Sequence, residues 1–275
     1  MKQLIAFCCL FCITTSFTPK DISWVAIGDS ITYLNDHPEE TAHKITKGYM
    51  TMVTEQLPNI HYINQGHNGW TSGGIAEQID QLGIVKADVY SIFLGTNDWW
   101  QGRPVGTIAD YTNNTGNGTV YGSFRIIINK LRSLNADAKI ILITPMQRLD
   151  FVYVGDMHNN AWGSYKAKNG QLLSQFADAV IAIGKEEDVA VIDLFNKSGM
   201  TLHNMVKFKH VKDPATGLYK DLTYPDCILY PFNPDTDEYP YPAGAMDMTF
   251  DGLHPSDKGY AVITRMVVKE LKKVK

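Results

Sequence analysis

Cysteine is scarce in this sequence and poorly placed for a disulfide framework. Four cysteines occur in 275 residues: Cys8, Cys9 and Cys12 lie in the first apolar stretch, and Cys227 stands alone far downstream. A chain of this length can be held by its core, whereas disulfide-dense designs belong to small secreted folds. An excess of one charge is also lacking. The net charge is −4 and the pI near 6.0, so no basic field draws the chain to phosphate backbones, and nucleic acid is not an expected partner. The basic residues from Lys269 to Lys275 read as a solvated helix end, where cations meet exposed carbonyls. Long apolar runs are missing too. The run from Leu4 to Ile13 is about half of the ~20 residues that a membrane span requires, so no stable membrane insertion is expected. The sequence has no HExxH, no two CxxC pairs, no P-loop and no dinucleotide fingerprint, so it gives no reason to expect a metal or cofactor. Internal repeats and low-complexity tracts are absent.

What is present starts with an export pattern. Residues 1–16 carry one cation, Lys2, then the apolar run, then Thr14, Thr15 and Ser16, which reads as a cleaved signal peptide and a secreted or periplasmic protein. A lipid anchor is disfavoured because Phe7, Cys8 and Phe11 precede the three cysteines, where a small residue is expected. Cleavage would leave Cys227 without a partner. With no base near it in sequence, it reads as a quiet, partly buried thiol. The remainder, 17–275, is expected to form one domain.

Short β-branched and apolar runs alternate with helical segments, the pattern of a parallel sheet covered by helices on both faces. Five strands are expected: Trp24–Gly28, His61–Asn64, Val89–Leu94, Lys139–Thr144 and Val189–Asp193. Helices are expected over Thr41–Leu57, Gly74–Gln81, Gly122–Leu134, Lys166–Glu187 and Ser256–Lys272, each with an apolar stripe or helix-forming composition. Two stretches break the rhythm, Trp99–Tyr121 and Asn196–Met248. The second holds Phe208, Tyr219, Tyr224, Tyr230, Phe232, Tyr239 and Tyr241, too aromatic for a solvated linker. It is read as an ordered insertion at about 196–248 that walls or lids a site.

Four segments carry chemistry. VAIGDS ends the first strand and places Ser30 at the carboxyl end of the sheet, where parallel α/β folds bind ligands. Gly28 allows a sharp turn beside it. DGLHP before the last helix offers Asp251 three residues ahead of His254, a spacing that lets a carboxylate orient an imidazole able to take the serine proton. An ester carbonyl under attack also needs preset donors. Gly69 in NQGHNGWTSGG and Asn97 in LGTNDWW each follow a strand and can supply a backbone N–H and a side-chain amide. Each segment alone also reads as an ordinary turn or cap.

Taken in order, GDSIT, HNGWT, GTND and DGLHP resemble the motifs of the SGNH or GDSL hydrolase family, over nearly the whole mature chain. The resemblance implies a three-layer α/β/α flavodoxin-like fold with a central parallel five-stranded sheet. It also implies metal-independent esterase, lipase or acyl-sugar deacetylase activity. Ser30 would be the nucleophile, His254 the base and Asp251 its partner, with the Ser30 N–H, Gly69 and Asn97 as the oxyanion hole.

Substrate contacts are expected from Asp29 and from Trp70, Trp99 and Trp100, which with Trp162 could offer flat faces to a sugar ring. The expected function is a secreted serine esterase acting on short acyl groups, such as O-acetyl, on carbohydrate; its partner would be a small-molecule or glycan ester. A lipase or lysophospholipase remains open as an alternative. So do a catalytically inert carbohydrate-binding protein and a metal hydrolase using His203 and His210. Sequons at Asn113, Asn117 and Asn196 matter only in a eukaryotic secretory route.

Overall fold

A computed structural model describes residues 20–274; the export pattern of residues 1–16 lies outside them. The first strand, β1 (Ile22–Gly28), turns at Asp29 into a one-turn helix, α1 (Ser30–Tyr33). Two 3-10 turns lead to α2 (Tyr49–Gln56) and β2 (Ile60–Gly66). Then come α3 (Ser72–Gln78), β3 (Val89–Phe93), α4 (Thr96–Trp100), α5 (Ile108–Thr112), α6 (Val120–Leu134) and β4 (Lys139–Ile143). A hairpin of β5 (Phe151–Tyr153) and β6 (Asp156–Ala161) precedes α7 (Leu173–Glu186), β7 (Ala190–Ile192) and α8 (Leu194–Lys197). A second hairpin, β8 (Lys209–Lys212) and β9 (Tyr219–Leu222), and the long α9 (Asp257–Leu271) complete the chain.

The five strands expected from sequence form one parallel sheet in the order β2-β1-β3-β4-β7. Side chains alternate across it. Trp24, Ala26, Val89, Phe93, Ile141 and Ile143 pack under α2 and α9, while Val25, Ile27, Tyr90, Ile92, Ile140 and Leu142 pack under α3, α6 and α7. Burial of both faces explains why these strands read as continuous apolar runs. The Ser91 hydroxyl in β3 accepts from Trp24 Nε1 at 2.9 Å, so the buried indole N–H is satisfied.

Two helices are shorter than their periodicity suggests. The expected helix from Thr41 starts only at Tyr49, because Ala42 and His43 take left-handed φ of 51° and 57° and a right-handed helix cannot run through them. The helix expected from Lys166 starts at Leu173, after Asn169 and Gly170 turn back with φ of 48° and 73°. α9 follows the expectation closely, with Ser256 as its cap accepting from the Gly259 N–H.

The order of strands sets the site. The chain leaves β1 to one side to make β2, then crosses to the other side to make β3, so the connections that leave the paired carboxyl ends of β1 and β3 run to opposite sides and open a crevice. No helix among the described residues is long and apolar enough to cross a membrane.

Candidate active site

The position of Ser30 is built by close packing at the end of β1. A Cβ on Gly28 would stand 2.1 Å from Thr32 Oγ1 and 3.2 Å from the Phe93 carbonyl, so only glycine lets β1 end beside β3. Asp29 caps α1 by accepting the Ile31 N–H at 3.0 Å, which makes Ser30 the first helical residue with an amide that has no intrahelical acceptor. Asp29 is 2% exposed. Burial raises its pKa from 3.8 to about 6, opposed by the Ile31 amide and by His254.

The DGLHP segment folds tightly around its own carboxylate. Asp251 Oδ1 accepts the backbone N–H of Leu253 at 3.0 Å and of His254 at 2.7 Å. Its Oδ2 lies 2.7 Å from His254 Nδ1. Gly252 is required at the turn: its φ is +91°, and a Cβ would meet the Asp150 carbonyl at 2.1 Å. With Nδ1–H donating to Asp251, Nε2 is the free acceptor of the ring, and Ser30 Oγ stands 2.7 Å from it. Asp251 is wholly buried and His254 is 5% exposed. Phe151 and Tyr153 meet the imidazole edgewise at 5.4 and 5.7 Å, and Phe250 stacks on it at 5.8 Å. The arrangement can pass the serine proton to a ring whose positive form a buried carboxylate then stabilises.

Two loops supply donors beside it. The residues His67–Trp70 make a β-turn closed by Trp70 N–H to His67 O at 3.2 Å, with Gly69 at φ +73°; Gln101 Nε2 holds the Gly69 carbonyl at 2.8 Å. After β3, Asn97 Nδ2 donates to the Trp70 carbonyl at 3.1 Å, which uses one of its two protons and leaves the other. The two loops are clamped by Asp98, whose carboxylate takes the Ser72 N–H at 2.9 Å and the Ser72 hydroxyl at 2.7 Å. Burial raises the Asp98 pKa, and the Ser72 hydrogen bonds and Arg103 oppose that rise. Asp98 is a positioning residue that the sequence reading passed over; its TND context alone gave no sign of a partner.

Ser30, Gly69, Asn97 and His254 line one cleft of about 220 Å³, together with Leu34, Glu40, Asn68, Phe151, Tyr153, Asn159 and Leu253. The residues expected to touch substrate are placed elsewhere. Trp99 is fully buried, its Nε1 donating to the Gln171 carbonyl at 2.9 Å, because the inner side of α4 faces the core. Trp100 and Trp162 pack edge to face at 4.8 Å, with the Lys168 ammonium 4.1 Å from the Trp100 ring. Trp70 packs on His67 at 4.7 Å and borders an adjoining groove with Gln101 and Glu77. Asp29 serves as the helix cap. None of these five lines the cleft.

The insertion also departs from expectation. It is ordered, and Tyr224, Phe232, Tyr239 and Tyr241 pack on the core, yet no residue of 196–248 lines the cleft. The wall comes instead from the β5–β6 hairpin, too short for its periodicity to be read. Behind that wall lies Arg148, buried against the rings of Trp99, Trp100 and Phe151 at 5.1, 5.2 and 5.7 Å. Burial lowers its pKa to about 10, with Asp251 and Asp150 holding it up.

His203 and His210 do not gather as metal ligands: His203 stacks edgewise on Tyr224, and His210 Nδ1 pairs with Asp221 at 2.6 Å. Among the described residues, His37, Glu39 and Glu40 alone bring three ligand-type atoms within 4.8 Å of one another. Burial pushes the Cys227 thiol up to about 11.

Residues 26–262 match the model of the GDSL-like Lipase/Acylhydrolase family. A crystal structure described as a possible lipase from Chitinophaga pinensis is 61% identical, covers 92% of this chain and 98% of its own, and superposes with a TM-score of 0.91. At the level of fold alone, a protein from Lactobacillus plantarum superposes with a TM-score of 0.61 at 19% identity, covering 93% of this chain and 98% of its own. An acetyl xylan esterase does so with a TM-score of 0.53 at 16% identity, covering 91% of this chain and 100% of its own. No curated protein matches the sequence. The chain belongs to the GDSL-like lipase/acylhydrolase family and is an ester-bond hydrolase.

Proposed function

We propose that the protein is a secreted serine esterase that removes short acyl groups, acetyl above all, from carbohydrate by way of an acyl-enzyme. The observation that carries this reading is the unbroken relay from Ser30 Oγ to His254 Nε2 at 2.7 Å and from His254 Nδ1 to Asp251 at 2.7 Å. Ser30 Oγ attacks the ester carbonyl while its proton moves to His254 Nε2, and Asp251 stabilises the imidazolium. The new oxyanion is met by the Ser30 and Gly69 N–H groups and the second Asn97 proton. Collapse breaks the bond to the alcohol oxygen, which leaves with the proton held by His254. Water then attacks the acyl-enzyme by the same route and restores Ser30.

The size of the cleft supports a short acyl group. A cleft of about 220 Å³ falls below the ~300–1,000 Å³ typical of drug-sized ligands. Secretion rests on the composition of residues 1–16. The fold is shared with an acetyl xylan esterase. A second reading, an acylhydrolase of long chains, draws on the relative described as a possible lipase.

Hydrolysis of p-nitrophenyl acetate, butyrate and octanoate by the wild type and Ser30→Ala, with and without chelator, separates these. Acetate preference that survives the chelator and collapses in Ser30→Ala supports the proposal. Octanoate preference moves the reading to the lipase class, and equal activity of both proteins removes Ser30 from the mechanism.

A further inference from the structure

The cleft has two chemically distinct parts. Leu34, Phe151, Tyr153 and Leu253 offer apolar surface, while Glu40, Asn68 and Asn159 bring polar side chains from three separate segments: the 3-10 turn Pro38–Thr41, the turn after β2, and β6. We propose that Glu40, Asn68 and Asn159 form the subsite for the leaving alcohol, and that this subsite selects an uncharged polyol over an anionic one. The proposal rests on the serine-esterase reading above and specifies the alcohol half of its substrate.

The three side chains differ from the rest of the polar lining in being uncommitted. Ser30, His254 and Asn97 are tied into the relay and the Trp70 carbonyl. By contrast, among the described residues the Asn68 and Asn159 amides have no hydrogen-bond partner. Glu40 uses only Oε1, which accepts the Tyr33 hydroxyl at 2.8 Å. All three are exposed, so two amides and a free carboxylate oxygen present donors and acceptors to several hydroxyls at once, whereas an alkyl chain laid over them would displace their water without replacing its hydrogen bonds.

Glu40 is also held in place from two sides. Its backbone carbonyl accepts the Tyr153 hydroxyl at 2.5 Å, joining the turn to the hairpin wall. Its Tyr33 partner is stacked on His37 at 4.0 Å. A carboxylate so fixed acts on whatever charge the alcohol carries. No lysine or arginine lines the cleft, and the nearby His37 has Glu39 at 3.5 Å as well as Glu40 at 3.8 Å. A substrate carboxylate or phosphate would therefore meet a like charge without a lysine or arginine to offset it.

The test uses the full chain and two probes that differ only at C6, methyl 2-O-acetyl-glucopyranoside and the corresponding glucuronide, with p-nitrophenyl acetate as a reference lacking sugar hydroxyls. The wild type is expected to favour the glucoside over the glucuronide by about tenfold or more in kcat/KM, and Glu40→Gln to narrow that gap to about threefold or less. Asn159→Ala is expected to raise KM for the glucoside about tenfold and to lower the glucoside to p-nitrophenyl acetate ratio. Equal use of both sugars by the wild type, or an unchanged gap in Glu40→Gln and an unchanged ratio in Asn159→Ala, with Ser30→Ala still inactive, overturns the subsite and leaves the esterase standing. Ser30-independent hydrolysis overturns the serine-esterase reading and the subsite with it, and no hydrolysis of either sugar alongside Ser30-dependent turnover of p-nitrophenyl esters overturns the subsite while leaving a serine esterase of another alcohol.

Discussion

Lys209 Nζ lies 2.7 Å from Asp150 Oδ2, with the lysine 2% exposed, so the insertion reaches the segment that backs the Asp251 turn through a buried ion pair. Asp150 also accepts the Tyr165 hydroxyl at 2.5 Å and the Gly163 N–H at 3.1 Å, and its carbonyl closes over Gly252. Removing one partner of a buried pair leaves an uncompensated charge, so Lys209→Met is expected to lower unfolding stability by about 3 kcal/mol. Lys209→Met with Asp150→Asn should recover part of that loss in urea titrations; strictly additive losses would show that the two groups are not coupled.

The relay makes Asp251 responsible for which imidazole nitrogen carries the proton. Asp251→Asn keeps the shape but can favour the wrong tautomer, and kcat on p-nitrophenyl acetate is expected to fall about 10⁴-fold. Ser30→Ala combined with His254→Ala should lose no more than the worse single variant, because the two act as one unit. Losses that multiply would mean independent roles.

Asn97→Ala is expected to cost about 10²–10³-fold in kcat while KM stays within a few-fold, since in the proposed mechanism its donor serves the oxyanion rather than the ground state. Gly69→Ala meets no neighbour within 4 Å but must hold φ near +73°. It is expected to cost about 1–2 kcal/mol in stability. A kcat loss below tenfold in Asn97→Ala would remove that amide from the oxyanion hole.

Asp29 makes stability depend on pH in a stated direction. Its folded pKa, about 6, stands above the ordinary 3.8, so its contribution is fully present below 3.8 and is lost as pH rises through about 6. Asp29→Asn keeps an effective cap without titrating. The stability of the Asp29→Asn variant relative to wild type should therefore rise between pH 4 and pH 7, by on the order of 2 kcal/mol. A difference that stays flat across that range would show that Asp29 does not titrate there.

Cys227 is fully buried, and its thiol is pushed up to about 11. In a chain expressed from Phe17, it is expected to ignore Ellman's reagent at pH 8 until denaturant is added. Rapid reaction of the folded protein would mean that the segment around it opens.

The sequence by itself determined the five strands of the sheet, the last helix and the residues able to do chemistry. Apolar runs, glycine turns and a carboxylate three residues before a histidine are local properties of the chain, and the Asp251–His254 hydrogen bonds form within them. Helix starts were less legible, because the left-handed residues Ala42, His43 and Asn169 are set by packing rather than by residue type. Tertiary structure alone decided that Ser30 meets His254 across 224 residues, that Asp98 clamps Ser72, and that the β5–β6 hairpin, not the aromatic insertion, walls the cleft. It also decided that Trp99 faces the core. Which side of a short helix is inward depends on where the sheet lies, and that is fixed by strand order, a relation between distant segments that no local pattern carries.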